Sequence, residues 1–326
     1  MWDRRTMVAG ALASGAKHAL PSHHSPMPVI FHSDIGYDVD DTWALLLLLR
    51  SPLLDLKLVV TDVDNTLYRA RVAAKLLHLG GRHDVTVAYG PKAGNARGPQ
   101  SDWVGRFTLK DYGGRVRHDG AQAIVDTIMA SKHKVTIIST GPATLAAAAL
   151  KLEPRIAKRA RFVAMDGSIR IGYDGAPKPV AEYNVKTDPA ALRAVFAAPW
   201  ECTITPLDTC GLLVLDGDDY QRVRHSRDPF AKAVIENSRL WLPHAPWMPK
   251  DYDLTKRSST LFDAVAVIMA YDESDLNMET LSLFVTDDGR TVVDPVAGWP
   301  VRCATGWRDL SRFKRKMVDA LTRKPA

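Results

Sequence analysis

From Pro28 onward, short continuous apolar runs alternate with longer segments whose apolar positions recur every three or four residues. The runs "PVIFHSD", "LDLKLVVTDV", "VTVAYG", "KVTIISTG", "RARFVAMDG" and "ECTITPLD" predict strands. The periodic segments "DDTWALLLLLRSP", "TLYRARVAAKLLHLGG", "DGAQAIVDTIMAS", "ATLAAAALKLEP", "DPAALRAVFAA" and "LFDAVAVIMAYDES" predict helices. Strand and helix in regular alternation imply right-handed βαβ units. The expected fold class is therefore α/β, an open, mostly parallel sheet with helices on both faces and a Rossmann-like core. Ligands of such sheets bind beyond the carboxyl ends of the strands. No internal repeat or long linker divides the chain, so residues 28–326 read as one domain.

Composition narrows the class. Of the 326 residues, 46% are hydrophobic and 25% charged, which suits a large soluble core. The net charge is +6, but outside the tail "RFKRKMVDALTRKPA" the basic residues are scattered and no aromatic-interleaved basic groove appears. Nucleic-acid binding is not expected. Three cysteines, Cys202, Cys210 and Cys303, form neither a disulfide framework nor a CxxC zinc pair and read as buried thiols. The longest apolar run is too short to insert in a membrane. Residues 1–27, "MWDRRTMVAGALASGAKHALPSHHSPM", place twin arginines before an Ala/Gly-rich stretch, the shape of a twin-arginine export signal. This predicts a periplasmic or extracellular protein; the alternative is a disordered cytoplasmic leader.

The candidate chemistry begins in "HSDIGYDVDDTWAL". Asp34, Asp38, Asp40 and Asp41 crowd the end of the first strand and the first turn of the helix after it. Carboxylates suit a helix N-terminus, so one reading is a solvated acidic cap. The other is a cation site, because carboxylates brought that close raise one another's pKa unless a cation neutralises them. Oxygen ligands alone favour calcium or magnesium over zinc.

A second acidic motif competes. "VVTDVDNTLYRA" sets Asp62 and Asp64 at the end of an apolar strand and resembles the DxDxT motif of haloacid-dehalogenase-type phosphatases, in which the first aspartate is the nucleophile beside magnesium. That motif normally sits on the first core strand, whereas this one is on the second.

"DIGYDVDDTWAL" itself resembles the opening of the inosine–uridine nucleoside hydrolase family. Further segments follow in the family's order: "VDNT", "GRHDVTVAYG", "VTIISTGPATLAAAAL", "FVAMDG", "PVAEYNVKTDPAALRAVF" and "TLFDAVAVIMAYDE". The resemblance implies calcium-dependent hydrolysis of a ribonucleoside to free base and ribose, in a homo-oligomer, either dimer or tetramer. It implies Asp34, Asp41, Asp263 and the Thr140 carbonyl as calcium ligands, with Asp34 also the general base. Asp40, Asp38, Asn65, Met165, Glu182 and Asn184 become the substrate contacts. Glu182 and Asn184, two apart in "AEYN", are expected on one side of an extended segment. Trp241, Trp247 and Phe262 are candidates to stack on the base. The chain also departs from the family. The "DIGYDVDD" loop is two residues longer than the shorter family form. His32, Leu145 and Ala176 stand where the family has an aspartate and two asparagines. Phe262 stands where pyrimidine-active members carry a histidine that protonates the leaving base. These losses keep open a second reading, a nucleoside-binding protein with the metal cradle but little turnover.

Overall fold

The computed structural model describes residues 25–323. Ten strands form one sheet: β1 (Met27–Ser33), β2 (Leu54–Thr61), β3 (Thr86–Tyr89), β4 (Val116–Arg117), β5 (Val135–Ser139), β6 (Ala160–Ala164) and β7 (Cys202–Ile204), joined after a two-strand excursion, β8 (Val214–Asp216) with β9 (Arg257–Thr260), by β10 (Leu276–Val285), β11 (Thr291–Val293) and β12 (Trp299–Trp307). The order is β11-β10-β12-β7-β6-β5-β1-β2-β3-β4. All neighbours from β12 to β4 are parallel, and β10 runs antiparallel to both β12 and β11. The parallel α/β expectation holds. The antiparallel C-terminal edge is an addition to it.

Strand β1 lies between β2 and β5. From it the chain winds outward through β2, β3 and β4 on one side and β5, β6 and β7 on the other. The sheet therefore changes winding direction at β1. Loops leaving β1 and β5 diverge to opposite faces and leave a crevice at their carboxyl ends.

Helices α1 (Asp40–Arg50) and α2 (Thr66–Leu79) cover one face. After the short α3 (Ser101–Val104), α4 (Gly120–Ala130) and α5 (Thr144–Leu152) cover the other, with α7 (Pro189–Ala197), which follows the single-turn α6 (Tyr183–Thr187). Helices α8 (Gly217–Arg224), α9 (Pro229–Trp241), α10 (Phe262–Met269) and α11 (Leu310–Thr322) return to the first face. Residues 40–48 of α1 are all buried, because it runs between the sheet and α9, α10 and α11. The leucine run "LLLLL" is thus apolar on every side, as a helix without a solvent face must be.

The three cysteines are free and buried. No described helix is long and apolar enough to cross a membrane. The leader signal predicted over residues 1–27 lies, but for its last three residues, outside the described residues.

Candidate active site

Four aspartates reach the crevice from three places. Asp34 follows the last residue of β1, Asp40 and Asp41 open α1, and Asp263 sits in the first turn of α10, which packs against α1. Both helix N-termini therefore aim their partial positive charge at the same spot. One carboxylate oxygen each from Asp40, Asp41 and Asp263 lie within 4.8 Å of one another, and all three side chains are buried. Asp34 stands beside this trio rather than in it.

The local backbone explains the convergence. Gly36, at φ +110°, turns the chain after Asp34, and its carbonyl accepts from the Tyr68 hydroxyl at 2.9 Å. Gly141, after β5, lies so close to Asp34 that an added Cβ would sit 2.6 Å from the Asp34 nitrogen. The Ser33 and Thr140 hydroxyls both donate to Asp41 Oδ1, at 2.6 and 2.7 Å. They fix the carboxylate and leave its other oxygen free.

Burial pushes all four carboxyls up; repulsion from neighbouring carboxylates of the cluster adds to it at Asp40, Asp41 and Asp263, and repulsion from Asp62 adds to it at Asp34. Asp34 has a cation beside it, one that also acts on Asp41. Arg69 of α2 lies 3.9 Å away and opposes the upward shift. Its guanidinium also donates to the Val63 and Ile35 carbonyls, at 3.1 and 3.4 Å. The sequence reading missed Arg69. Its signal is an arginine on the buried face of a helix, in register with Val72, Ala73 and Leu76.

A cavity of about 710 Å³ opens onto this cluster. Asp34, Asp38, Asp40, Asp41, Asp263, Thr140, Met165, Glu182, Asn184, Trp247 and Phe262 all line it, so the structure brings most of the residues singled out in the sequence to one place. Half-buried Asp38, in the longer loop, accepts from Val39 N–H at 2.6 Å. Burial pushes its carboxyl up to about 6, against the Val39 amide and the Trp247 indole, which favour the charge.

Glu182 and Asn184 meet the cavity by a different route from the one expected. Residues 183–187 are helical, not extended. Glu182 caps that turn, accepting from Asn184 N at 2.9 Å and Val185 N at 3.3 Å, and from Gly167 N at 3.0 Å. A five-residue helix is too short to declare itself by periodicity. The Asn184 amide donates to the Met165 and Thr140 carbonyls at 2.9 and 3.4 Å, tying three cavity residues together. Burial raises Glu182 to about 6.

Two residues are placed elsewhere. Asn65 caps α2 through its Oδ1, and its amide donates to the Ala96 carbonyl in a separate surface depression. Trp241 is wholly buried behind the cavity wall and donates its indole N–H to the Tyr37 carbonyl at 3.0 Å. The aromatic surface consists instead of Trp247 stacked on Tyr37 (centroids 4.6 Å apart), with Tyr37 also stacked on Tyr183 (5.7 Å). Phe262 forms a second patch with Tyr173, edge-on at 5.9 Å. Tyr37, Tyr173 and Tyr183 were not foreseen, because loop aromatics carry no periodic signal.

The phosphatase motif is not assembled. Asp62 Oδ2 accepts from Leu145 N at 2.6 Å and faces His32 Nε2 at 3.0 Å, while Oδ1 accepts from Val63 N at 2.8 Å. A carboxylate so occupied is no free nucleophile, and neither Asp62 nor Asp64 lines the cavity. His32 bridges Asp62 to the Ser139 hydroxyl, 2.8 Å from Nδ1, and so replaces the family's aspartate with a buried structural tie.

The donor set suits a hard divalent cation: oxygen atoms only, buried, and without a cation close to Asp40 or Asp263. Residues 29–315 match the family model described as inosine-uridine preferring nucleoside hydrolase. An enzyme of that name from Leishmania major is 28% identical over 323 residues, spanning 91% of this chain and 98% of the relative. A pyrimidine-specific ribonucleoside hydrolase, RihA, of Citrobacter koseri is 29% identical over 222 residues, 64% of this chain and 69% of the relative. Among solved structures, a plant nucleoside hydrolase superposes with a TM-score of 0.77 at 20% identity, over 92% of this chain and all of that one. With the model match spanning nearly all the described residues and the acidic crevice in place, the chain belongs to the inosine-uridine preferring nucleoside hydrolase family, a family of N-glycosyl hydrolases.

Proposed function

We propose that the protein hydrolyses the N-glycosidic bond of a ribonucleoside with calcium as its metal, releasing free base and ribose. The observation that carries this reading is the buried trio Asp40, Asp41 and Asp263 at the floor of a cavity wide enough for a nucleoside. Asp40, Asp41, Asp263 and the Thr140 carbonyl would hold the ion, with Asp34 at its edge. A calcium ion supplies Lewis acidity to a water and an anchor for the ribose diol.

The chain's own groups do the rest. Asp34 takes the proton of the attacking water; Arg69, 3.9 Å away, opposes the upward shift that burial imposes on this carboxyl. Asp38 and Asp40 accept from the ribose hydroxyls. Glu182 and Asn184 hold the 5′ end, and Met165 packs against the sugar. Positive charge building on the sugar in an oxocarbenium-like transition state is stabilised by this carboxylate-rich floor. The base lies between the Trp247–Tyr37 stack and Phe262. Asn65 and Trp241 have no direct part, since their polar groups are engaged elsewhere.

The test is a base-release assay over purine and pyrimidine nucleosides, with and without chelator, on wild type and Asp34→Ala. Chelator-sensitive release abolished in Asp34→Ala supports the reading. Calcium and ribose binding with no release of any base would replace it with a binding protein.

A further inference from the structure

Breaking an N-ribosyl bond leaves negative charge on the departing base, and something must receive it. Phe262 cannot. No histidine lines the cavity among the described residues, and His244 is turned to Asp102 at 2.8 Å. The Tyr252 hydroxyl is spent on the Ser258 carbonyl.

Tyr173 is placed differently. Its oxygen accepts from Tyr183 N–H at 3.0 Å, and among the described residues no acceptor takes its own proton. The amide fixes the oxygen, so the O–H is left to point at a ligand. Its ring stands edge-on to Phe262 on the cavity wall. The backbone that presents it is a tight loop, closed by Gly172 N to Ala176 O at 2.8 Å and Ala176 N to Tyr173 O at 3.0 Å. Within it, Asp174 adopts φ 55°, a left-handed conformation that costs a non-glycine residue roughly 1 kcal/mol or more. The loop's two backbone bonds and the Tyr183 amide hold this tyrosine at the cavity. The Ser259 hydroxyl also lines the cavity, buried and without a partner among the described residues, so the cavity offers a further polar group to a ligand.

Resting on the hydrolase reading, we infer that Tyr173 donates a hydrogen bond from its hydroxyl to the departing base, in the place of the imidazole that Phe262 lacks. As the C1′–N bond breaks, its electron pair moves to the base nitrogen. Water gives hydroxide to C1′ and its proton to Asp34. The phenol is partly buried, with Glu182 and Asp40 near, which pushes its pKa up; Tyr173 therefore keeps its proton and acts as a fixed dipole on the developing anion. The base then takes a proton from solvent, and Asp34 releases its own to solvent.

The experiment compares Tyr173→Phe with wild type on two substrates: a nucleoside, and 4-nitrophenyl β-D-ribofuranoside, whose leaving group is stable without help. A leaving-group donor predicts a fall in kcat on the nucleoside of about 10²-fold, with little change on the nitrophenyl riboside. Equal loss on both overturns the inference and moves Tyr173 to the ribose. No loss on either overturns it as well. Wild type that cleaves neither substrate overturns the hydrolase reading and takes this inference with it, whereas wild type active on both keeps the two separable. Retained calcium affinity in Tyr173→Phe establishes that the variant is folded.

Discussion

The Arg69 guanidinium lies 3.9 Å from the Asp34 carboxylate, with both side chains buried. It is a cation at the edge of a floor of carboxylates, and it opposes the upward shift that burial imposes on Asp34. Replacing it by methionine removes that bias. The acid limb of the kcat/KM–pH profile should move to higher pH by about 1 or more, since a close cation depresses a carboxyl by that order. Arg69→Lys should restore part of the displacement. An unmoved profile would show that Arg69 braces the Val63 and Ile35 carbonyls and nothing more.

Ser33 does not reach the cavity, yet its hydroxyl positions Asp41 at 2.6 Å. Ser33→Ala should lower calcium affinity by about 10–100-fold, the usual cost of losing a group that orients a metal ligand. Calorimetric titration of the chelated protein measures it directly.

Glu182 and Asp38 are both pushed up to about 6 by burial. A carboxyl whose pKa is higher folded than unfolded favours folding while protonated and loses that contribution as pH rises through its folded pKa. Chelated protein should therefore lose thermal stability between pH ~4 and ~7. Calcium, which favours the ionised carboxylates, should raise Tm most at the upper end. A chelated Tm that climbs across this window contradicts the assignment.

The two tryptophans should separate cleanly. Trp247 is 40% exposed and stacked on Tyr37, so Trp247→Ala should raise KM by about 10-fold, in keeping with a lost aromatic contact, and leave folding intact. Trp241 is fully buried, so Trp241→Ala should cost about 3–5 kcal/mol of stability. Urea denaturation beside steady-state kinetics tells them apart.

His32 contacts Asp62 and Ser139 in the core. His32→Leu leaves both short of a partner and should destabilise by about 1–3 kcal/mol. Wild type should release no phosphate from a generic phosphoester with magnesium, since the Asp62 oxygens are already engaged.

The sequence carried the parts of the site that regular elements hold. Asp34 and Thr140 follow apolar strands and Asp41 and Asp263 begin helices; the family resemblance singled them out, and strand and helix patterning set them at element ends. Arg69 was hidden because an arginine on an apolar helix face looks like an interruption of the pattern. The tyrosines sit in loops or in a single turn of helix, where spacing has no meaning. The antiparallel edge of β10 and β12 read weakly because many of its positions are half-buried or exposed. Asn65 and Trp241 were drawn to the site by their neighbours in the chain, yet local demands took them: a helix cap for one and a core indole bond for the other.

The trio of carboxylates joins the first helix of the fold to the tenth. A cation held there closes a loop containing most of the chain, and loop-closure entropy makes such a staple act mainly on the partly opened states. Metal occupancy should therefore register along the helices that carry the site, as slower hydrogen exchange where α10 packs on α1. The charge at the crevice works as a clasp as well as a tool, and chelation should loosen the protein along the seam between its first helix and its last third.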